Sequence, residues 1–302
     1  MESGLRKALE RGTHVVTAHR RQARQIRYRY AAARQVEGVE AWESPRVSGW
    51  DDWLVDLHRE ITWSGYSAPR VQRKLLTRFQ EQVLWESILH AHGGDILDDV
   101  PGAARQAGAA WSLVQAYRLP DPGRQAQPSA EVAAFARWMR RYFARCRDHS
   151  LIDHGRLADI IAPALRAGAV PPPKSVLLLG FDGFTQQQRL LLKTLEDLGT
   201  TLERYKGARV AGTPVRVTLP STRDEYTAAA QFARRILSEA PSENTAILVP
   251  DLARDRRTIV RTFDDVLMPG SSLPEGNSAG RPYNLALGEP LHGMPIVRAT
   301  GA

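Results

Sequence analysis

The hydrophobic positions of the chain change period along its length, and these changes predict which segments are strands and which are helices. Val176–Leu179 form a continuous apolar run that is too short for a stable helix, so they predict a strand buried on both faces. Thr185 is placed to cap the following helix, in which Leu190, Leu191, Leu195 and Leu198 recur at helical spacing until Gly199 ends it. Thr13–Ala18 predict an earlier strand.

The first part of the chain has helical period after that strand. A helix is predicted over about Arg20–Val36, with Ala23, Ile26, Tyr30 and Ala31 as its apolar stripe. Pro45–Gly49 predict a turn or short strand, and Trp50 begins another helix. No strand is predicted from there to about residue 168, which indicates an all-helical insert over about 65–170. Its predicted helices are Arg73–His92, Pro101–Tyr117, Ser129–His149 and His154–Ala167.

Strands and helices alternate in the last part of the chain, which is typical of a parallel sheet with crossover helices. A break near Gly207–Pro214 predicts two domains, one over 1–206 and a second over 214–302. The pattern of the second domain stops where another helix begins, so we expect only the beginning of a domain there, apparently truncated. The candidate strands are Thr201–Lys206, Val215–Leu219, Ala246–Val249 and Tyr283–Leu287, and the candidate helices are Arg223–Ser238 and Ala253–Val266.

The net charge of +8 is concentrated at the amino terminus. Residues 1–34 hold nine basic side chains against Glu2 and Glu10, a net of +7, and the remaining residues are close to neutral. Such asymmetry indicates a polyanionic partner, most often nucleic acid. Arg20, Arg24 and Arg27 recur on one face of the predicted helix, and with Arg21 they are the predicted phosphate contacts. A solvated, arginine-rich helix without a partner remains the alternative.

The turn after the first strand does not have the composition of a nucleotide site. A phosphate-binding loop needs glycines and a lysine, whereas Thr17–Gln22 reads Thr-Ala-His-Arg-Arg-Gln. The later strand ends in Gly180, with Asp182 two residues on, where a magnesium-binding strand normally ends in an acid. Thr17, His19, Gly180 and Asp182 therefore define a degenerate site, and we expect neither ATP nor magnesium to bind tightly. A sheet that lost hydrolysis, one that never had it, and a turn for another anion all remain open.

Other candidate chemistry is weak. Pro250-Asp251 would need a later acid-x-Lys to form a nuclease site, but no lysine follows Lys206, so Asp251 is predicted to cap a helix. His90 and His92, with Asp95, Asp98 and Asp99, predict a polar loop rather than a metal site. The lone Cys146 predicts an inert thiol. No catalytic residue is assigned, and the absence of an apolar membrane span or signal sequence predicts a cytoplasmic protein.

Taken in order, these segments resemble the amino-terminal part of the AddB/RexB class of DNA-repair proteins, in particular the proteobacterial "probable DNA repair protein" branch. The resemblance covers nearly the whole chain. It implies a fold like that of UvrD-type helicases, in which a first RecA-like, P-loop-NTPase-like domain with a helical insert is followed by the start of a second one. The segments that carry it are THVVTAHRRQARQIRYRYA at 13–31, SPRVSGWDDWLVDLHRE at 44–60, FQEQVLWESIL at 79–89, LLLGFDGFTQQQRLLL at 177–192, RDEYTAAAQFARRIL at 223–237, AILVPDLARDRRTIVRTFDDVL at 246–267 and RPYNLALGEPL at 281–291.

The resemblance also implies a function. It assigns Thr17–Gln22 to the Walker A position and Leu177–Asp182 to the Walker B position, both departing from the active pattern, and the carboxy-terminal nuclease of full-length relatives is missing. We therefore expect a non-catalytic module of a recombinational DNA-repair helicase/exonuclease system that holds single strands or ends. The candidate protein partner is an AddA-like helicase-nuclease subunit. The alternatives are a nucleotide-dependent helicase or ATPase with a degenerate loop, and a scaffold for a helicase partner that docks through the helical insert.

Overall fold

The computed structural model describes residues 3–66, 73–92, 99–124, 127–205, 207, 213–270 and 280–287. The chain divides into two compact units, Met1–Arg209 and Val210–Ala302. The fold is mixed α/β. The strands are β1 His14–Thr17, β2 Val47–Gly49, β3 Lys74–Leu75, β4 Leu151–Ile152, β5 Ser175–Leu179 and β6 Thr201–Arg204. The helices are α1 Ser3–Glu10, α2 Arg20–Val36, α3 Trp50–Trp63, α4 Arg78–His92, α5 Val100–Tyr117, α6 Ala130–Asp148, α7 Leu157–Arg166, α8 Gln186–Asp197, α9 Thr222–Glu239 and α10 Leu252–Leu267.

Four strands of the first unit form a parallel sheet in the order β2-β1-β5-β6. Val15 of β1 pairs with Val47 on one side and with Leu177 on the other. The two faces of the sheet belong to different cores. Val15 and Leu177 pack with residues of α1 and α2, whereas Val16, Val176 and Leu178 pack with α3, α7 and α8. The central strands are thus buried on both faces, which explains their continuous apolar sequence.

Local sequence signals position the helix after β5 as expected. Thr185 Oγ1 accepts a hydrogen bond from the backbone N–H of Gln188, and the Gln188 side chain accepts from the Thr185 N–H, forming a capping box. Gly199 ends the helix with a φ of +90°. The predicted apolar stripe is wrong at one position. Leu190 is 41% exposed, and Leu192 is buried instead.

The segment between β2 and β5 has its own core, built mainly from α4, α5 and α6. Trp85 stacks on Tyr142 with ring centroids 4.1 Å apart, and Trp111 meets the same tyrosine edge-on at 5.6 Å. Cys146 is fully buried in this core, and burial raises the pKa of its thiol to about 11. The segment is not all-helical, because β3 pairs in parallel with β4. Two-residue strands have no period to detect, so this pairing was not predicted.

A buried ion pair lies beside this core. Arg156 Nε donates to Asp153 Oδ2 at 2.7 Å, and Trp111 Nε1 donates to Asp153 Oδ1 at 3.2 Å. Both charged side chains are almost completely buried. The guanidinium also lies over the rings of Trp111 and Phe143, at 5.5 and 5.2 Å. The ion pair therefore ties the chain after β4 to α5 and α6.

In the second unit α9 and α10 pack through Tyr226, Ala230, Ile259 and Phe263. The strands predicted at Val215–Leu219, Ala246–Val249 and Tyr283–Leu287 are wrong, because these segments are not strands. Val217 is 70% and Leu248 92% exposed, so no neighbouring strand covers them among the described residues. Strand-like sequence forms a strand only where a partner completes the backbone hydrogen bonds.

Asp251 occupies the residue before α10, where it was predicted to be a cap. Its side chain makes no capping hydrogen bond and instead pairs with Arg254 at 3.0 Å. The predicted position is therefore correct, but the predicted interaction is wrong.

His14 gives a test of the packing around β1. Burial lowers the pKa of His14 to about 4, with a further contribution from Arg46, and its Nε2 lies 3.0 Å from Ser48 Oγ. Because the unfolded chain binds this proton at a higher pH than the folded chain, stability should fall as pH drops from about 6.5 to about 4. We expect the free energy of unfolding of the wild type to fall by up to about 3 kcal/mol over this pH range because of His14. His14→Gln should remove this fall, and urea unfolding at several pH values measures it.

His149→Gln is the control, because His149 is exposed. It should keep the pH dependence of the wild type. Equal pH dependence in the wild type and in both variants would contradict the assignment to His14.

Candidate nucleic-acid interface

The turn that follows β1 is closed by hydrogen bonds within the protein. The Ala18 backbone N–H donates to the carbonyl of Leu179 at 3.0 Å, which joins the ends of β1 and β5. Thr17 is fully buried, and its Oγ1 donates to the His19 carbonyl at 2.9 Å and to the Ser48 carbonyl at 3.3 Å. The hydroxyl of Thr17 thus stabilises the turn itself. His19 precedes α2 and is exposed, and its side chain makes no hydrogen bond that caps the helix.

Gln22 occupies the space beside Gly180 at the end of β5. Gly180 has a φ of +76°, and a Cβ at this residue would overlap the side-chain amide of Gln22. The Gln22 Oε1 atom is buried and has no hydrogen-bond partner among the described residues. A carboxylate residue at position 180 would therefore require the Gln22 amide to move and would adopt a strained positive φ. The local conformation thus favours glycine at the end of β5 over the acid that an active magnesium site needs.

Arg204 fixes the backbone that follows Gly180. Its Nη2 donates to the carbonyl of Phe181 and, at 3.1 Å, to the carbonyl of Asp182. The guanidinium also lies 5.7 Å from the ring centroid of Phe184. The Asp182 residue is exposed. The structure thus places Thr17, Gln22 and Gly180 together in a filled turn and leaves Asp182 at the surface.

The exposed surface of α2 is strongly basic. Arg20, Arg21, Arg24 and Arg27 are all exposed, whereas Ala23, Ile26 and Tyr30 on the opposite side are buried. Arg20 Nε pairs with Asp52 Oδ2 at 2.8 Å. Among the described residues, Arg24 and Arg27 have no ion-pair partner. We call Arg20, Arg21, Arg24, Arg27 and Tyr28 the α2 arginine face.

The position of this face at the start of a helix increases its positive potential. The first turn of α2 contains no acidic residue, so the partial positive charge of the helix N-terminus adds to that of Arg20 and Arg21. At 3.6 residues per turn the members of the face span about 120° of the helix surface. A single strand of phosphates could therefore contact several of them at once.

The structure also sorts the aromatic residues near this helix. Tyr28 is 71% exposed and lies on the α2 arginine face, between Arg24 and Arg21 in angular position. Tyr30 is buried, as predicted for the apolar stripe of α2, and Trp50 and Trp53 of α3 are buried as well. Tyr28 is thus an exposed phenol ring at the carboxyl end of the α2 arginine face, where a base could stack on it.

Two contacts of the site were not predicted. Asp52 and Arg204 come from α3 and from the end of β6, far along the chain from the residues they bind. Sequence carries no local signal for either contact. His90 and His92 lie in the last turn of α4, as the helix predicted over Arg73–His92 requires, so they are not part of the predicted polar loop. Asp95 and Asp98 lie outside the described residues. The described part of the chain contains no cluster of His, Cys, Asp or Glu that could hold a metal ion.

Comparison with models of known protein families found no match, and comparison with curated proteins found none either. Within the described ranges no helix has the length and apolar character needed to cross a membrane. The class defined by the observations is therefore a mixed α/β protein with a small four-stranded parallel sheet and an arginine-rich helix beginning at its carboxyl edge.

The contact between Gly180 and Gln22 can be measured by substitution. Gly180→Ala should lower the free energy of unfolding by about 1–3 kcal/mol, because the positive φ is strained for alanine and the new Cβ overlaps Gln22. Adding Gln22→Ala to Gly180→Ala should recover the part of this loss in free energy of unfolding that comes from the overlap with Gln22. Urea unfolding of both variants measures the difference.

Gly168→Ala is the matched control, because Gly168 has a φ of +73° and no neighbouring described atom within 4 Å of an added Cβ. Its loss in free energy of unfolding should come from the strain of the backbone alone. If Gly180→Ala costs no more than Gly168→Ala, Gln22 does not fill the site.

Proposed function

We propose that this chain is a non-catalytic, RecA-like DNA-binding module that holds single strands or DNA ends in recombinational repair. The observation that carries the proposal is the α2 arginine face, which consists of four exposed arginines and one exposed tyrosine. Phosphate contacts from such a face would position a strand without reading its sequence.

The charges around the face favour an anionic partner. No acidic residue occurs in the sequence between Glu10 and Glu37. Asp52 pairs with Arg20 of the face, and the Arg20 side chain remains 77% exposed. An exposed pair of this kind contributes little to stability, so a phosphate could replace Asp52 at small cost.

The parallel sheet supports a RecA-like arrangement. Helices cover both faces, α2 begins directly after β1, and the segment with its own core lies between β2 and β5. The occupied space beside Gly180 and the glycine-free turn at Thr17–Gln22 favour binding without ATP hydrolysis.

A second candidate is a scaffold that docks a helicase partner, such as an AddA-like subunit, through the helical insert. It is favoured by Phe79, which is 75% exposed, and by Val83. Both line a largely apolar groove of about 340 Å³ beside Leu76 and Leu151. A protein that acts only as a scaffold would show no dependence of DNA affinity on the α2 arginine face.

The main prediction concerns the dependence of DNA affinity on salt concentration. If four arginines each neutralise a phosphate, the logarithm of affinity for oligothymidylate should fall against the logarithm of salt with a slope of roughly −3. The triple variant Arg20→Gln, Arg24→Gln, Arg27→Gln should make the slope less steep by about 2 units. Fluorescence anisotropy over a salt series measures both values.

The matched control removes three arginines from the second unit, namely Arg223→Gln, Arg234→Gln and Arg257→Gln. These side chains are exposed and the change in net charge is the same. The control should keep the slope of the wild type. Identical slopes in the two triple variants would rule out the α2 arginine face as the binding site.

Tyr28 tests the stacking part of the proposal separately. Tyr28→Ala should weaken binding by about 1–3 kcal/mol at every salt concentration without changing the slope, because a stacked base carries no released counterion. Trp63→Ala is the control, since Trp63 is 79% exposed but lies at the end of α3. Equal effects of the two substitutions would contradict a specific role for Tyr28.

A further inference from the structure

A second row of arginines lies on α6, in the segment between β2 and β5. Arg137, Arg141 and Arg145 follow one another at intervals of four residues, and all three are exposed. With a rise of 1.5 Å per residue, successive arginines of this row are about 6 Å apart along the helix axis. We call these three residues the α6 arginine stripe.

The α6 arginine stripe differs from the other arginines of the same helix in its partners. Arg140 Nε pairs with Asp121 Oδ2 at 2.7 Å, and Arg147 Nε pairs with Asp148 Oδ1 at 2.9 Å. Each of those charges is balanced by a carboxylate.

The charges of the stripe are not balanced in this way. Arg141 Nη1 lies 2.7 Å from Nε2 of His92, which can accept as a neutral imidazole. Within the described ranges Arg137 and Arg145 have no acidic partner. The stripe therefore keeps its positive charge, although Asp148 lies beyond its carboxyl end.

The helix holds the stripe in a fixed position. Its opposite face, with Ala136, Met139, Tyr142 and Cys146, is buried in the core of the segment. Ser129 caps its first turn by accepting from the Val132 N–H at 3.4 Å. Ala134 lies within the angular range of the stripe and Ala144 lies about 20° outside it, so small side chains border the arginines and a phosphate group can approach them.

We infer that the α6 arginine stripe is a second phosphate-binding surface for the single-stranded nucleic acid. This inference rests on the proposed function, but it concerns different residues on a different helix. A regular row of unbalanced guanidinium groups on a rigid helix suits the repeating charge of a nucleic-acid backbone. Each phosphate that the stripe binds would add to the salt dependence of affinity.

The experiment compares two double variants of α6. The test variant is Arg137→Gln with Arg145→Gln, and the control is Arg140→Gln with Arg147→Gln. Each removes two charges from the same helix, and exposed ion pairs contribute little to stability, so both should melt at the wild-type temperature. Binding to a long oligothymidylate is measured over a salt series, alongside the α2 triple variant and binding to polyglutamate.

We expect the test variant to bind the oligothymidylate about tenfold more weakly at physiological salt, with a slope less steep by about 1.4 units. If the stripe contacts add to those of the α2 arginine face, the wild-type slope is about −5 rather than the −3 expected from the α2 arginine face alone. The control should stay close to the wild type, although it leaves Asp121 and Asp148 without partners. Equal effects in the two double variants would show that only net charge matters, and would overturn the inference. So would a loss confined to polyglutamate binding, which would indicate an acidic protein partner.

The α2 triple variant separates this inference from the proposed function. If it loses affinity while the α6 test variant does not, the inference is wrong and the proposed function stands. If only the α6 test variant loses affinity, the α2 arginine face is the wrong assignment and the stripe is the binding surface. Wild-type binding in both variants would overturn both.

Discussion

The burial of β1 and β5 on both faces is the constraint on which the rest of the first unit depends. Parallel neighbours cannot be joined by a tight hairpin, so each connection must cross a face of the sheet. Helices α1 and α2 cover one face and α3, α7 and α8 cover the other. This arrangement brings the carboxyl ends of all four strands to one edge, and α2 begins at that edge. The position of the α2 arginine face is thus a consequence of sheet packing.

The parts of the fold that depend on local signals could be predicted from sequence. The helix expected over Arg20–Val36 has those bounds in the structure, because its apolar stripe and its flanking residues are all local. The same holds for β5 and for the helix capped by Thr185. Where a prediction depended on a distant partner it failed. β3 was missed because its partner β4 follows only after three helices. Val215–Leu219 has strand propensity but pairs with no strand among the described residues.

The candidate site shows the same division. Exposure of Arg20, Arg21, Arg24 and Arg27 could be predicted, because it depends only on helical period and on which side is apolar. The contacts that other elements make with this site could not be predicted. Asp52 reaches Arg20 from α3, and Arg204 reaches the backbone after Gly180 from the end of β6. Both contacts are set by the order of strands in the sheet, which a single sequence does not specify.

The contact between Gly180 and Gln22 has a consequence for how the two positions can vary. Gly180 has a positive φ, and the amide end of Gln22 lies where a Cβ at 180 would be. Any other residue at 180 would therefore strain the backbone and require another rotamer of Gln22. The effect of a substitution at 180 thus depends on the residue at 22, and the two substitutions should not be additive.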